Sequence, residues 1–288
     1  MSYAFFPGCS MEGTAHDYQS STVAVSEILG LEIPEIPGWI CCGSTSAHQS
    51  DPLLALALPA KNLLAAGGKT VAVGCAACYN RLKTANHHIA RDGETRKQVA
   101  AVLGGDYDGQ TQVVHLLEIL ARDVGVAKIA EKVRHPLRGL KVVPYYGCLL
   151  SRPPEVTKFD DPENPTLMDQ VLQAAGATIL NWPHKTECCG AGYSITDASI
   201  VRQLTREILI MAKAAGADCI ATACPLCQLN LDLRQKDTEK EAGETFGLPV
   251  FYFTQLLGLA FGIPNKKLGL RKLVVSPSKL LAERGIPA

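Results

Sequence analysis

The chain lacks an excess of charge, a leader segment and a long apolar run. Its 288 residues include 28 acidic and 28 basic side chains, which argues against a broad electrostatic surface for nucleic acid. The N-terminus, MSYAFFPGCSMEG, has neither a basic leader nor an apolar core of signal-peptide length. The most apolar late segment, 251–263, is far shorter than the roughly 20 residues that span a bilayer. We therefore expect a cytoplasmic protein without a transmembrane segment or a nucleic-acid partner, which can still reach a membrane through protein partners.

Cysteine, in contrast, is abundant, with 11 residues in the chain. Reducing compartments disfavour structural disulfides, so dense cysteine in a cytoplasmic protein indicates metal binding or redox chemistry. The residues fall into two matched sets of five, one in each half. The first set is Cys9, Cys41, Cys42, Cys75 and Cys78, and the second set is Cys148, Cys188, Cys189, Cys224 and Cys227. Cys219 has no counterpart, and we expect it to be a small buried core residue.

The residues around the cysteines repeat as well. AFFPGC matches PYYGC, LLAAGGKTVAVGCAAC matches AKAAGADCIATACPLC, and QVVHLLEIL matches PVFYFTQLLGLA. Such correspondence indicates duplication and fusion of one ancestral unit. We predict two domains, 1–138 and 139–288.

Short apolar runs alternate with helical patterns along both halves. Asp51 is a plausible cap for a helix over 52–66, which Pro59 should kink or break, and further helices are expected over 14–29 and 197–215. Alternating strands and helices favour parallel sheets. The predicted fold class is α/β, with two related Rossmann-like halves, each a small parallel sheet flanked by helices, and a cleft between them. The predicted strands are 3–6, 70–74, 112–115, 140–146, 177–180, 218–223 and 249–253.

The cysteines are expected at the carboxyl ends of these strands, where parallel folds usually bind their ligands. Cys75 and Cys224 each leave a strand and enter a predicted helix, whose N-terminal partial charge favours thiolate over thiol. Glycines adjacent to the cysteines would let the backbone approach a bulky cofactor closely. These candidate cofactor-binding residues are Gly8, Gly43, Gly74, Gly147 and Gly190.

Three kinds of site can be built from such thiols. A structural zinc site takes four tetrahedral ligands and makes no use of adjacent cysteines. A thioredoxin-like dithiol needs a single CxxC at a helix start, as in CAAC or CPLC. A cluster of several irons offers binding positions a few ångströms apart, which suits the double cysteine. We favour the iron–sulfur interpretation, and zinc and dithiol exchange remain alternatives.

The two complete sets of five resemble the duplicated cysteine-rich CCG motif. Together with the YAFFPGC opening and the AGADC…CPLC…QLLGLA ending, they are similar to the B subunit of heterodisulfide reductase and its bacterial homologues over nearly the whole chain. The resemblance implies a first and a second CCG domain and two noncubane [4Fe–4S] clusters at the cleft between the halves, each held by one set of five cysteines. The catalytic groups would then be the cluster irons, with no side chain assigned as catalytic.

The resemblance also implies function and partners. A disulfide would be cleaved or formed by two one-electron steps at the clusters, with electrons delivered by a cubane iron–sulfur subunit that a flavin subunit supplies. The chain would be active only with these partners. Relatives also occur in sulfur-oxidising and dehydrogenase complexes, so an electron-relay, lipoyl-linked or quinone-linked role is the alternative. The substrate, a small disulfide or a lipoyl-type group, stays open.

Polar residues near the motifs are weaker candidates. We interpret Arg81, Lys185 and Lys213 as ordinary surface charge. His48, His184 and Tyr193 lie near the double cysteines and could hydrogen-bond cluster sulfur or a bound thiolate, although solvated or supporting roles are the simpler interpretation.

Overall fold

The computed structural model describes residues 1–44 and 46–287. The first half ends with a π-helical turn at Ile119–Gly125 before its last helix. In chain order its elements are β1 (Ala4–Phe6), α1 (Gly8–Glu12), α2 (His16–Leu29), α3 (Ala47–Ser50), α4 (Pro52–Ala65), β2 (Val71–Val73), α5 (Ala76–Arg91), α6 (Gly93–Leu103), β3 (Val113–His115), α7 (Leu116–Glu118) and α8 (Val126–Lys132).

The second half repeats this order and adds a C-terminal extension. Single 3₁₀ turns lie at Ala191–Tyr193 and Leu270–Lys272. The elements are β4 (Lys141–Tyr145), α9 (Pro154–Thr157), α10 (Leu167–Ala174), β5 (Thr178–Ile179), α11 (Ala198–Ala214), β6 (Cys219–Thr222), α12 (Pro225–Leu233), α13 (Gln235–Ala242), β7 (Val250–Tyr252), α14 (Phe253–Ala260), α15 (Asn265–Leu268) and α16 (Ser278–Glu283).

Each half forms a small parallel sheet. The first sheet has the order β1-β2-β3 and the second has the order β5-β4-β6-β7. The edge strand β5 has a rudimentary counterpart in the first half, where parallel bridges join Ser2 to Glu32 and Phe5 to Glu35. The predicted α/β class with two parallel sheets flanked by helices is therefore confirmed, and so is the predicted position of each strand.

The helix boundaries follow from local chemistry. Leu54 N–H donates to the Asp51 side chain at 2.8 Å, as the predicted cap requires. Asp197 caps α11 in the same way, by accepting from Ser199 N–H at 3.0 Å. A break at Pro59 is wrong, because α4 runs unbroken through it from Pro52 to Ala65, and the alternative of a kink stays a prediction. Tertiary packing on the buried Ala57, Ala60 and Leu63 offsets the missing backbone donor.

The two halves pack pseudo-symmetrically, because each half contributes one helix that packs against helices of the other half. Helix α2 of the first half packs against α14 of the second, and α10 of the second packs against α7 and the π-helical turn of the first. The Tyr18 and Tyr252 rings stack with centroids 4.1 Å apart, and the Ser21 and Thr254 hydroxyls lie 2.8 Å apart. These buried contacts fix the position of one sheet relative to the other.

The predicted boundary between domains, at 138/139, falls in the segment between α8 and β4. This segment contains the buried Leu137 and Leu140. The boundary stays a prediction, and Ala288 lies outside the described residues.

The contact between Gly269 and Asp17 tests this packing. Gly269 has φ +65°, and a Cβ atom there would lie 2.9 Å from Asp17 Cα, which is backbone on α2. Gly269→Ala should lower the free energy of unfolding by about 2–5 kcal/mol, from the left-handed backbone and the overpacking together. Gly285→Ala is the matched control, because Gly285 has φ +63° but no described atom within 4 Å of such a Cβ. Chemical denaturation of both variants measures the difference, and equal losses would contradict the proposed packing.

Candidate metal centre

The first cysteine of each set and the first cysteine of each CxxC lie at the carboxyl ends of parallel strands, as predicted. Cys9 is in the first turn of α1, directly after β1, and Cys148 directly follows β4. Cys75 and Cys224 are the N-cap residues of α5 and α12, so their side chains face the partial positive charge of a helix N-terminus. The 11 cysteines, all within the described residues, form no disulfide.

The thiols of the first set touch one another in succession. Cys9 Sγ lies 3.8 Å from Cys41 Sγ, and Cys42 Sγ lies 3.3 Å from Cys78 Sγ. Hydrogen bonds between Cys41 and Cys42 and between Cys75 and Cys78 join these pairs. The sulfur atoms therefore follow the order Cys9, Cys41, Cys42, Cys78, Cys75.

The second set has the same order. Cys189 Sγ lies 3.6 Å from Cys227 Sγ, Cys148 hydrogen-bonds to Cys188, and Cys224 hydrogen-bonds to Cys227. Cys188 and Cys189 are adjacent in the chain. The order Cys148, Cys188, Cys189, Cys227, Cys224 thus reproduces that of the first half.

The two sets meet at the middle of the molecule. The buried thiols of Cys75 and Cys224 are close enough to affect each other's ionisation, since their interaction raises the pKa of Cys75. We call these ten thiols the thiol chain, in which Cys188 and Cys189 are joined as neighbours along the backbone; their order is symmetric about Cys75 and Cys224. Its outer members Cys9, Cys41 and Cys188 are exposed to solvent, whereas its centre is buried.

Neighbouring thiols divide into those that ionise readily and those that do not. The hydrogen bond from Cys148 lowers the pKa of Cys188 to about 6, and the same contact raises the pKa of Cys148. Hydrogen bonds from Cys41 and Cys78 lower the pKa of Cys42, and the bond to Cys42 raises the pKa of Cys41. A thiolate accepts the S–H of its neighbour, so adjacent sulfurs cannot all be anionic unless a cation binds them.

Backbone and side-chain donors also face the sulfurs. Gly43 N–H donates to Cys41 Sγ at 3.4 Å, and its repeat counterpart Gly190 N–H donates to Cys188 Sγ at 3.3 Å. Asn230 lies 3.7 Å from Cys189 Sγ and donates to the Cys189 carbonyl at 3.1 Å. These donors stabilise charge on sulfur and fix the double-cysteine segments.

The Gly74 carbonyl, directly before Cys75, is held by two side chains. Tyr18 O–H donates to it at 2.8 Å and His115 Nε2–H donates at 3.0 Å. His115 Nδ1 accepts from Leu117 N–H, and burial lowers the His115 pKa to about 4. The His115 ring is therefore neutral and fixed in place. It holds the Gly74 carbonyl and so fixes the backbone directly before Cys75.

The candidate glycines occupy two kinds of position. A Cβ atom at Gly8 would lie 2.9 Å from Cys78 Sγ, and one at Gly147 would lie 3.0 Å from Cys227 Sγ. At the other three glycines, the atoms nearest to such a Cβ belong to residues other than the cysteines. Direct contact with a cofactor stays a prediction for all five glycines. The other three are Gly43, which faces Ala47 and Leu58; Gly74, which faces Met11 and Leu116; and Gly190, which faces Val201 and Leu204.

A cavity of about 230 Å³ lies between the halves. The five thiols of the second set line it, together with Arg81 and His48 from the first half and Tyr193 from the second. The remaining lining is largely apolar and includes Ala76, Ala77, Leu149 and Leu226. The halves therefore enclose a pocket whose wall includes thiol sulfur.

The structure corrects two of the surface-charge interpretations. Lys185 is buried, with Nζ 2.6 Å from Asp169 Oδ1 and 3.0 Å from the Pro165 carbonyl, so it is a structural ion pair. Arg81 lines the cavity. Lys213 is exposed and donates to the Thr245 carbonyl at 2.7 Å, as a surface residue does.

The remaining candidates also have definite places. His48 and Tyr193 are exposed at the wall of the cavity. His184 stacks on Trp182, away from the cavity wall. Cys219 is fully buried in the core, and burial raises its pKa, which confirms its predicted position as a core residue.

The donor set fits a group of several metals. Within residues 1–44 and 46–287 no three His, Cys, Asp or Glu side chains surround a position for one metal ion. The thiols of each set instead lie in a line, and thiol sulfur is the ligand of iron–sulfur clusters. Five thiols in such a line per half can bind successive irons of one cluster.

Comparison with known proteins agrees with this interpretation. Residues 3–83 and 142–232 each match the family model CCG, described as a cysteine-rich domain. The chain belongs to the CCG family. Both CCG domains contain one strand-end cysteine, one double cysteine and one CxxC.

Full-length relatives of these paired CCG domains are named as parts of redox complexes. The chain is 35% identical, over 96% of its length and 98% of the relative's, to the 8-methylmenaquinol:fumarate reductase membrane anchor subunit of Wolinella succinogenes. It is 30% identical to the B subunit of the ferredoxin:CoB-CoM heterodisulfide reductase of Methanosarcina mazei, over 97% and 96% of the two chains. It is also 30% identical, over 93% of each chain, to a protein of Archaeoglobus profundus described as like the B subunit of heterodisulfide reductase. Together these findings support a CCG iron–sulfur redox subunit that works with partners.

A solved structure shares the fold. A hypothetical protein from Helicobacter pylori superposes with a TM-score of 0.73 at 13% identity, over 96% of this chain and 52% of that one. The chain thus spans about half the length of that protein, and the likeness shows the fold alone. Among the described residues, no helix combines the length and apolarity needed to cross a membrane.

Sequence reasoning missed Asn230 as a residue of the site and misjudged Arg81. Both follow the last cysteine of their set by three residues, Cys227 and Cys78 respectively, which is about one helical turn. Because Arg81 and Asn230 occupy equivalent positions in the repeat, that correspondence could have identified both as residues of the site. The roles of Tyr18 and His115 depend on contacts between distant segments and had no such signal.

Gly147 provides a test of the sulfur arrangement. In Gly147→Ala, Cys227 Sγ must move away from the new methyl group, so the metal affinity of the second set should fall by about 10–100-fold. Gly139→Ala is the control, because Gly139 also has positive φ but no described atom within 4 Å of a built Cβ. Metal titration of both purified variants under oxygen-free conditions measures the effect. Unchanged affinity in Gly147→Ala would contradict the arrangement.

Proposed function

We propose that this chain is the iron–sulfur catalytic subunit of a heterodisulfide reductase-like complex. It cleaves or forms a disulfide by two one-electron steps, with one noncubane [4Fe–4S] cluster held by each set of five cysteines. Such clusters supply one-electron transfer and an iron position able to bind sulfur. The observation that carries the proposal is the thiol chain, in which two equivalent sets of five sulfurs meet at Cys75 and Cys224.

The chain's own residues prepare the site in three ways. The N-termini of α5 and α12 and the Gly43 and Gly190 amides favour anionic sulfur. Burial of the centre of the thiol chain excludes water from the place where the two sets meet. The cavity lined by the five thiols of the second set would hold the cluster of that half, at the junction of the two halves.

Exposure of the outer thiols supports dependence on partners. Cys9 and Cys41 at one end and Cys188 at the other reach the surface. A cubane iron–sulfur subunit that docks at such an end would deliver electrons, and a flavin subunit would supply that donor. The relatives named as heterodisulfide reductase subunits support this arrangement.

A second candidate is electron transfer without substrate binding to this chain, or exchange with a quinone or a lipoyl group. The relative named as a subunit of 8-methylmenaquinol:fumarate reductase favours it. In that case the chain would not bind a disulfide. The two candidates share their metal centres and differ in their response to substrate.

Cysteine variants test the ligand assignment. Wild-type protein purified without oxygen should contain about eight iron and eight sulfide per chain. Cys227→Ala should lose about half of this iron, because one of five ligands of the second set is removed. Cys219→Ala should retain all of it, since Cys219 is a buried thiol outside both sets. Chemical iron and sulfide analysis decides, with circular dichroism to verify folding; equal iron in the two variants would refute the assignment.

A spectroscopic experiment separates the two functions. The oxidised, iron-loaded chain is titrated with a small organic disulfide and with the corresponding thiol, and its EPR spectrum is followed. A disulfide-active subunit should change its signal with the thiol or disulfide, because sulfur binds at the metal centre. An unchanged signal, with full iron content, would favour the relay.

A further inference from the structure

The C-terminal extension after α14 concentrates positive charge. Residues 264–288 contain six basic side chains and one acidic side chain, although the chain as a whole is neutral. The two ranges that match the CCG model end before this extension and already contain all ten cysteines of the thiol chain. Metal binding therefore does not account for the charge. Four of the basic residues fall within one short segment, and these are Lys266, Lys267, Arg271 and Lys272.

This basic segment is exposed and poorly neutralised by the rest of the chain. Lys272 attracts the buried Asp17 carboxylate. Lys266, Lys267 and Arg271 form no ion pair with the residues that the structure describes, whereas the other two cations of the extension do. Unpaired cations this close together repel one another, and an anionic partner would offset that repulsion.

The same segment forms the wall of a recess of about 730 Å³, which we call the basic recess. Lys266, Arg271 and Lys272 line it, and no Asp or Glu is among the described residues of its wall. The buried side chains that line it are all apolar and include Leu270 and Leu281. A concave surface with charge of one sign concentrates the electric field. The basic recess therefore suits a ligand that is anionic and also has an apolar face.

The extension is fixed to the helices that position the thiols. Asp232 of α12 accepts from Val274 N–H at 2.8 Å and from Val275 N–H at 3.0 Å. Helix α12 begins after Cys224, its N-cap residue, and α15 of the extension packs against α2 of the first half. A molecule held in the basic recess is thus held at a defined position relative to the second set of cysteines.

We propose that the basic recess is the docking site for an acidic, amphipathic segment of a partner protein. Relatives of the chain are named as subunits of redox complexes, and a segment with one acidic and one apolar face complements both the cations and the apolar lining. A bilayer complements this surface less well, because it takes up protruding apolar side chains and those of the recess are buried. The inference rests on the proposed function only for the need of a partner.

Two peptides of equal length and equal charge test the docking site. Each has about twelve residues; one combines Glu with Leu in an amphipathic pattern, and the other combines Glu with Gly. Their binding to the full chain, purified without oxygen, is measured by fluorescence anisotropy. The chain should bind the Glu/Leu peptide at least about tenfold more tightly, because only this peptide has side chains for the apolar lining. Its affinity for both peptides should fall as salt is raised.

Charge reversal in the basic recess supplies the variant. Lys266→Glu combined with Arg271→Glu should weaken binding of the Glu/Leu peptide by at least about tenfold, because two attractive charges become repulsive. Lys236→Glu combined with Lys240→Glu is the matched control, since both lysines are exposed on α13 and outside the recess. The control should bind within about twofold of wild type. Thermal unfolding and iron content verify that each variant keeps its fold and its metal.

The remaining outcomes would overturn the inference. Equal affinity for the two peptides, or an equal loss in the two double variants, would contradict a docking site in the recess. Vesicles with about 30% phosphatidylserine test the alternative of a membrane; vesicle binding without peptide binding would replace the protein partner by a bilayer. Self-association in light scattering that disappears in the recess variant would assign the surface to a second copy of the chain. Peptide binding as expected, in a chain that holds no iron, would overturn the proposed function alone.

Discussion

The central constraint is the crowding of sulfur. The Sγ atoms of Cys42 and Cys78 lie 3.3 Å apart, and those of Cys189 and Cys227 lie 3.6 Å apart. At these distances the thiols would form disulfides in an oxidised chain, and as thiolates they would repel one another. Protons shared between neighbours relieve only part of this repulsion, as the opposed pKa shifts of Cys148 and Cys188 show. A cationic, sulfur-binding group relieves it completely, because metal binding keeps each thiol deprotonated.

The duplicated fold produces this crowding twice and joins the two results. Parallel strands end at one edge of each sheet, so residues far apart in sequence meet there. The packing of α2 on the second half and of α10 on the first half then turns these two sheet edges towards each other, so that Cys75 lies next to Cys224. Symmetry is broken at one turn beyond each CxxC, where Arg81 faces the cavity and Asn230 remains bonded to its own half. The two sets of thiols therefore lie in different electrostatic surroundings.

Sequence could predict the strands, the two sets of cysteines and the buried Cys219, because local periodicity and the repeat determine them. The family resemblance was confirmed by the same motifs. Lys185 was misjudged because its partner Asp169 and the Pro165 carbonyl come from a loop and helix whose packing no local pattern specifies. The break expected at Pro59 does not occur because tertiary burial outweighs the helix-breaking tendency of proline. The cleft between the halves was predicted, but the residues that line its cavity were not, since its walls come from both halves.

The most direct measurement is anomalous diffraction at the iron absorption edge from crystals grown without oxygen. The account predicts two separate groups of iron, one bounded by Cys9, Cys41, Cys42, Cys75 and Cys78 and the other by the second set. Iron absent from both sets, or a zinc-edge signal from single ions between paired thiols, would contradict it.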